Sequence, residues 1–196
     1  MGNIIVSEFI TLDGVIEAPG GEDSLGEQSG WSLPFFSEET AKFKRDDLFA
    51  CDALLLGRVT YQIHASSWPR VKDEEGFADR MNSLPKYVVS TTLETLEWNN
   101  SRLIRENRVE AIKKLKHEIS RDILIDGGSD LVNLLMQHDL IDEYRLLVHP
   151  IVVGKGKRLF QEGSEKKELR LRKAKVFRTG VVALTYQPAE ARHEER

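Results

Sequence analysis

The sequence predicts an α/β protein: one mixed, twisted sheet with helices on both faces. Three observations predict it. Short apolar, β-branched runs alternate with stretches of helical spacing. Two of those runs pass through glycine straight into a polar helix start, at Gly57-Arg58 and at Gly127-Gly128-Ser129. The last third of the chain instead alternates polar and apolar residues around Thr179-Gly180, as an antiparallel hairpin does.

Residues 3–11 (NIIVSEFIT) read as the first strand, closed by Asp13-Gly14. A strand so near the chain start stays ordered only if it pairs centrally or lies on the core. Residues 17–34 follow without periodicity, with four glycines and two prolines. Long irregular loops inside compact domains are commonly binding loops or lids. Trp31 and Leu33 supply this one with something to bury, so a lid is expected. Residues 37–49 read as a helix: Ser37 caps it, Glu38 and Glu39 occupy the first turn, and Lys42, Lys44 and Arg45 come later. That charge order complements the helix dipole.

Residues 52–57 (DALLLG) form the next buried strand, running into Arg58, Thr60 and Tyr61. Arg58 is always charged and can grip a phosphate with two donors. A solvated loop at Asp73-Glu74-Glu75 and a short helix over 77–84, stopped by Pro85, come next. The strand over 86–91 (KYVVST) ends in the hydroxyls Ser90, Thr91 and Thr92. Such hydroxyls hold a phosphate or ribose, or act as ordinary turn caps. A short strand at Leu103-Ile104 and a helix over 109–117 lead to the central stretch.

That stretch is 121–137, RDILIDGGSDLVNLLMQ. Ile123 to Ile125 are strand-like, Asp126 ends the run, Gly127-Gly128 turns the chain, and Ser129 is placed to cap a helix carrying Leu131, Leu134 and Leu135. A strand, a glycine pair and a helix N-terminus suit an anion, because free N–H groups and the dipole point at it. The same glycines could equally serve only a tight turn. A long strand over 141–148 follows. The Gly154-Lys155-Gly156-Lys157 segment lacks P-loop spacing and its Ser/Thr, so that reading fails. Strands over 169–176 and 181–186 form the terminal hairpin, and 189–196 is a charged tail after a domain spanning 1–188.

Composition bounds the function. The chain has 196 residues, 40% hydrophobic and 31% charged, with a net charge of −4, which argues against nucleic-acid binding. Cys51 is the only cysteine, so no disulfide framework or thiolate metal cluster is expected, and no metal site is predicted. Neither a signal peptide nor a stretch near the ~20 apolar residues of a membrane span is evident, so a cytoplasmic protein is expected.

In open α/β sheets ligands bind outside the strand C-termini. Asp13, Gly57-Arg58, Ser90 and Gly127-Gly128 are all expected at that edge. Taken together, TLDG at 11–14, LLLGRVTY at 54–61, KYVVSTTL at 86–93, LIDGGSDLVNLL at 124–135 and HPIVVGKGKRLF at 149–160 make the chain resemble one family. It is the reductase domain of bacterial riboflavin biosynthesis, in the dihydrofolate reductase superfamily.

The resemblance covers about residues 3–187 and implies a mostly parallel sheet of about eight strands, with NADPH as hydride donor. It makes Gly57, Arg58, Thr60, Ser90, Thr91, Gly127 and Gly128 cofactor residues, with the glycine pair against the pyrophosphate and nicotinamide ribose. It makes Asp13 a candidate substrate contact. Glu39, four residues before Phe43, is the nearest match to the acid that folate reductases carry early in this helix. The zinc deaminase that often accompanies this reductase has H-x-E and P-C-x-x-C ligands, and with Cys51 as its only cysteine the sequence cannot supply the second motif, so no deaminase is expected. The expected activity is NADPH-dependent reduction of a small heterocycle or a carbonyl/imine compound. The alternatives are a non-catalytic nucleotide-binding module and a structural dimer with a degenerate site. A small-molecule substrate and a homodimer are the partners expected, without nucleic acid or membrane.

Overall fold

The computed structural model describes residues 1–21 and 23–189. The charged tail expected over 189–196 falls outside these, apart from Ala189.

Strand β1 (Ile4–Thr11) is followed by the irregular loop and helix α1 (Glu38–Ala50). Then come β2 (Cys51–Gly57), α2 (Arg58–Ser67), α3 (Phe77–Ser83), β3 (Lys86–Val89) and β4 (Ser101–Ile104). The second half adds α4 (Arg108–Glu118), β5 (Asp122–Ile125), α5 (Ser129–Gln137), β6 (Glu143–His149), β7 (Leu169–Val176) and β8 (Val182–Pro188). The strands form one eight-stranded sheet in the order β4-β3-β2-β5-β1-β6-β8-β7. Pairings from β4 through β6 are parallel, and β8 pairs antiparallel with both β6 and β7. The expected mixed, mostly parallel sheet with a C-terminal antiparallel hairpin is therefore present.

The first strand is central, as its position near the chain start requires. It lies between β5 and β6, and its alternate residues feed two cores. Ile4, Val6 and Ile10 pack with Ile112 and Leu115 of α4 and Leu131 and Leu135 of α5. Ile5 joins Leu48 of α1, Tyr61 of α2 and Met81 of α3 on the other face. Burying side chains on both faces explains the continuous apolar runs of β2 and β5, which carry no polar alternation. In contrast β7 is exposed along nearly its whole length, and its sequence alternates.

Three local differences have identifiable causes. Strand β3 stops at Val89, because the Ser90 hydroxyl accepts from the Thr92 and Leu93 N–H groups and turns the chain. Ser37 caps α1 as expected, through the Thr40 N–H. Ser129 does not cap α5. Gly128 takes the N-cap position at φ 101°, which makes Ser129 the first helical residue. Its buried hydroxyl has no hydrogen-bond partner among the described residues.

The irregular loop is packed. Trp31 is 4% exposed and clusters with Val15, Ala18, Leu25 and Val153. Its indole N–H donates to the Glu17 carbonyl at 2.7 Å, and the Ser32 hydroxyl donates to the Pro19 carbonyl at 2.7 Å. Leu33, expected to be buried with Trp31, is instead exposed. It sits in a single 3-10 turn, Leu33–Phe35, that buries none of its residues.

Candidate functional site

A cleft of about 1110 Å³ opens at the C-terminal ends of the parallel strands. One wall is made by three turns. Gly57, Arg58 and Thr60 carry the end of β2 into α2, Ser90 and Thr91 follow β3, and Gly127 and Gly128 carry β5 into α5. All seven of these sequence-selected residues line the cleft.

The wall is built from close backbone approach. Gly127 and Gly128 have φ of 98° and 101°, a region that side chains with a Cβ rarely adopt. A Cβ on Gly127 would lie 3.0 Å from the Thr60 hydroxyl, so β5 and α2 approach this closely only because the glycine is bare. Neither α2 nor α5 has a side-chain N-cap, so the first N–H groups of both helices are left for a ligand or water. Arg58 is on the rim, with its guanidinium donating to the Gln62 amide oxygen at 3.0 Å.

The floor is charged, and sequence reasoning missed it. Lys44 of α1 reaches Asp126 at the end of β5 (2.6 Å) and donates to the Ser7 carbonyl (3.0 Å) and hydroxyl (3.1 Å). His64 of α2 lies 3.6 Å from the other Asp126 oxygen, an ion-pair distance rather than a hydrogen bond. Its Nδ1 accepts from the Trp68 indole at 3.3 Å, which leaves the Nε2 proton facing Asp126 in the neutral ring. Glu8 of β1 is 4% exposed, and its carboxyl accepts the Gly127 N–H at 2.7 Å.

Burial is the largest influence on all three carboxylate and ammonium groups, but the outcomes differ. Burial and the neighbouring Asp126 charge push Glu8 up to about 8, against weaker pulls from Lys44 and the Gly127 N–H. For Asp126 burial raises the pKa, yet Lys44 and His64 together hold the carboxyl far below its usual range. Burial lowers Lys44, and Asp126, helped by Asp47 and Glu8, more than reverses it. At neutral pH the floor holds an ionised pair beside a protonated carboxylic acid. One signal could have found Glu8: the inward positions of β1 read Ile4, Val6, Glu8, Ile10, an acid interrupting an apolar face.

The structure does not bring Asp13 or Glu39 to the cleft wall. Asp13 is a staple. It accepts from the Thr11 hydroxyl (2.7 Å) and from the N–H groups of Val153 (3.2 Å) and Gly154 (2.8 Å), tying the first turn to the 150s segment. The Thr11 hydrogen bond, more than its weak desolvation, holds its carboxyl below the usual range. Glu39 accepts the Arg178 N–H at 2.9 Å and pairs with Lys175 at 3.1 Å, docking α1 on the terminal hairpin. It borders a separate shallow depression of about 220 Å³.

The sheet order and the cleft define a dihydrofolate reductase-like α/β protein. The chain belongs to the RibD C-terminal domain family, whose model matches residues 3–183. It is 31% identical over 186 residues to the uncharacterized protein YyaP of Bacillus subtilis (strain 168), covering 93% of each chain. A putative riboflavin biosynthesis protein from Shewanella sp. PV-4 has a similar fold: TM-score 0.75 at 22% identity, covering 97% of this chain and 100% of that one. The diaminohydroxyphosphoribosylaminopyrimidine deaminase/5-amino-6-(5-phosphoribosylamino)uracil reductase of Thermotoga maritima is similar at TM-score 0.65 and 16% identity. Its match covers 96% of this chain and 57% of that one.

Proposed function

We propose that the protein is an NADPH-dependent reductase that transfers hydride to a small heterocyclic or carbonyl/imine substrate. One observation carries this reading. Three glycine- and hydroxyl-bearing turns, from three separate parallel strands, line a single wall of a cleft whose floor holds titratable groups. Family membership supports a reductase-like role.

The residues fit a dinucleotide. The positive-φ glycines leave space where a side chain would stand, and the buried Ser129 hydroxyl beside them has no partner among the described residues. The uncapped starts of α2 and α5 present N–H groups suited to phosphates, and Arg58 on the rim suits the 2′-phosphate that distinguishes NADPH from NADH. When bound, the cofactor supplies a hydride. The protein's part is to hold the reactants together and exclude water from a pocket walled by Phe9, Ile16, Val89 and Leu131.

The test is NADPH binding by fluorescence or calorimetry, then NADPH oxidation at 340 nm against a panel of small carbonyl, imine and pyrimidine compounds. Micromolar binding with turnover supports the reductase. Binding without turnover across the panel favours a nucleotide-binding module, and absence of binding overturns both.

A further inference from the structure

Glu8 is placed to do more than fill the floor of the cleft. It projects from β1 on the face covered by α4 and α5, between Val6 and Ile10, and it is buried. One of its oxygens is fixed by the Gly127 N–H, at the turn where the reductase reading puts the nicotinamide ribose. Its other oxygen has no hydrogen-bond partner among the described residues, and the residue lines the cleft. The charged groups that act on it are Asp126 from the end of β5 and Lys44 from α1, with His64 of α2 behind them against Asp126. Lys44 is committed to Asp126 and Ser7, so a charged Glu8 would be a second anion beside a pair that is already neutral. Burial and that neighbouring anion keep its proton on at neutral pH. A buried, proton-carrying carboxyl with a free oxygen facing a cleft is what a general acid requires.

We propose that Glu8 is the catalytic acid of the reduction, protonating the nitrogen or oxygen of the substrate's C=N or C=O bond. The proposal rests on the reductase reading. The substrate carbon accepts hydride from the bound cofactor and forms a C–H bond. The π electrons move to the heteroatom, which forms a bond to the Glu8 proton. The products are the reduced substrate, the oxidised nicotinamide and a Glu8 carboxylate, which takes a proton from water before the next turnover. Asp126 and Lys44 are positioning residues. The Asp126 charge holds the proton on Glu8, and Lys44 keeps Asp126 in place.

The experiment uses the full chain, Glu8→Gln and Glu8→Asp. Carbon-13 NMR of glutamate-δ-labelled protein, with the Glu8 signal assigned by its loss in Glu8→Gln, needs no substrate. A signal titrating near pH 8 is expected, and one titrating in the ordinary carboxylate range overturns the proposal. NADPH affinity in both variants should stay within threefold of wild type. Turnover is probed with 5-amino-6-(5-phosphoribosylamino)uracil. In the wild type kcat should fall as pH rises through about 8, where the acid form disappears. In Glu8→Gln kcat should drop at least ~100-fold and lose that limb, with KM nearly unchanged. Glu8→Asp should keep a titrating group yet lose rate through shortened reach. Wild-type turnover in Glu8→Gln overturns the assignment. Failure of the wild type to bind NADPH sinks the reductase reading instead. If the wild type binds NADPH but leaves this compound unreduced, the compound is excluded as substrate and the NMR arm decides where the proton resides.

Discussion

The two sides of the cleft are built in opposite ways. The glycine wall is made of three local turns, each contained within a few consecutive residues and each offering mainly backbone. The charged floor takes one residue each from β1, α1, α2 and the end of β5, and it offers only side chains. Backbone sites tolerate change in surrounding side chains but no added Cβ. A side-chain cluster is the reverse, since each member's charge state depends on the others. Recognition that must accept one constant partner suits the first design, and chemistry tuned to a particular substrate suits the second.

That contrast can be broken experimentally, and the largest effect belongs to the wall. Gly128→Ala should abolish detectable NADPH binding while the melting temperature drops only modestly, the forced positive φ costing ~1 kcal/mol. Calorimetric titration alongside a thermal melt checks both, and unchanged binding would show that the cofactor does not meet this turn. Removing Lys44 from the floor should act on stability. Lys44→Met leaves Asp126 without its cation, an expected loss of about 3 kcal/mol in urea unfolding at neutral pH. Loss below ~1 kcal/mol would mean that solvent and His64, rather than Lys44, stabilise the Asp126 charge.

The rim should show a smaller and selective effect. Arg58→Ala is expected to weaken NADPH by ~1.5–3 kcal/mol and to leave NADH much less affected. Equal losses would move Arg58 to the pyrophosphate or to a structural role. The smallest effect lies outside the cleft, at His149. Its ring is fully buried among the edges of Phe9, Trp31 and Phe35, with Nδ1 hydrogen-bonded to the Leu147 carbonyl at 2.8 Å and Nε2 without a hydrogen-bond partner among the described residues. Burial lowers its pKa below 6.5, only partly offset by the backbone contacts. A depressed pKa contributes stability that is present above 6.5 and is lost as pH falls through that value towards the folded one. Denaturant melts between pH 7 and 5 should therefore show wild type losing stability that His149→Phe does not lose.

Much of the fold was determined by the sequence alone. Unbroken apolar runs at β2 and β5 have one solution, strands buried on both faces, and the glycines after them mark the crossovers. The wall followed from the same local chemistry, because a turn's backbone conformation is set by the residues within it. Tertiary structure alone decided which acids matter. Asp13 and Glu39 carried plausible local signals, yet Gly154 and Arg178, 141 and 139 residues away, claim them for structure. Glu8 and Lys44 looked like ordinary strand and helix residues until the sheet order put β1 beside β5 and α1 across their ends. A carboxyl's charge is a property of its burial and of the charged groups around it, and in the sequence those groups are 36 and 118 positions from Glu8, at Lys44 and Asp126.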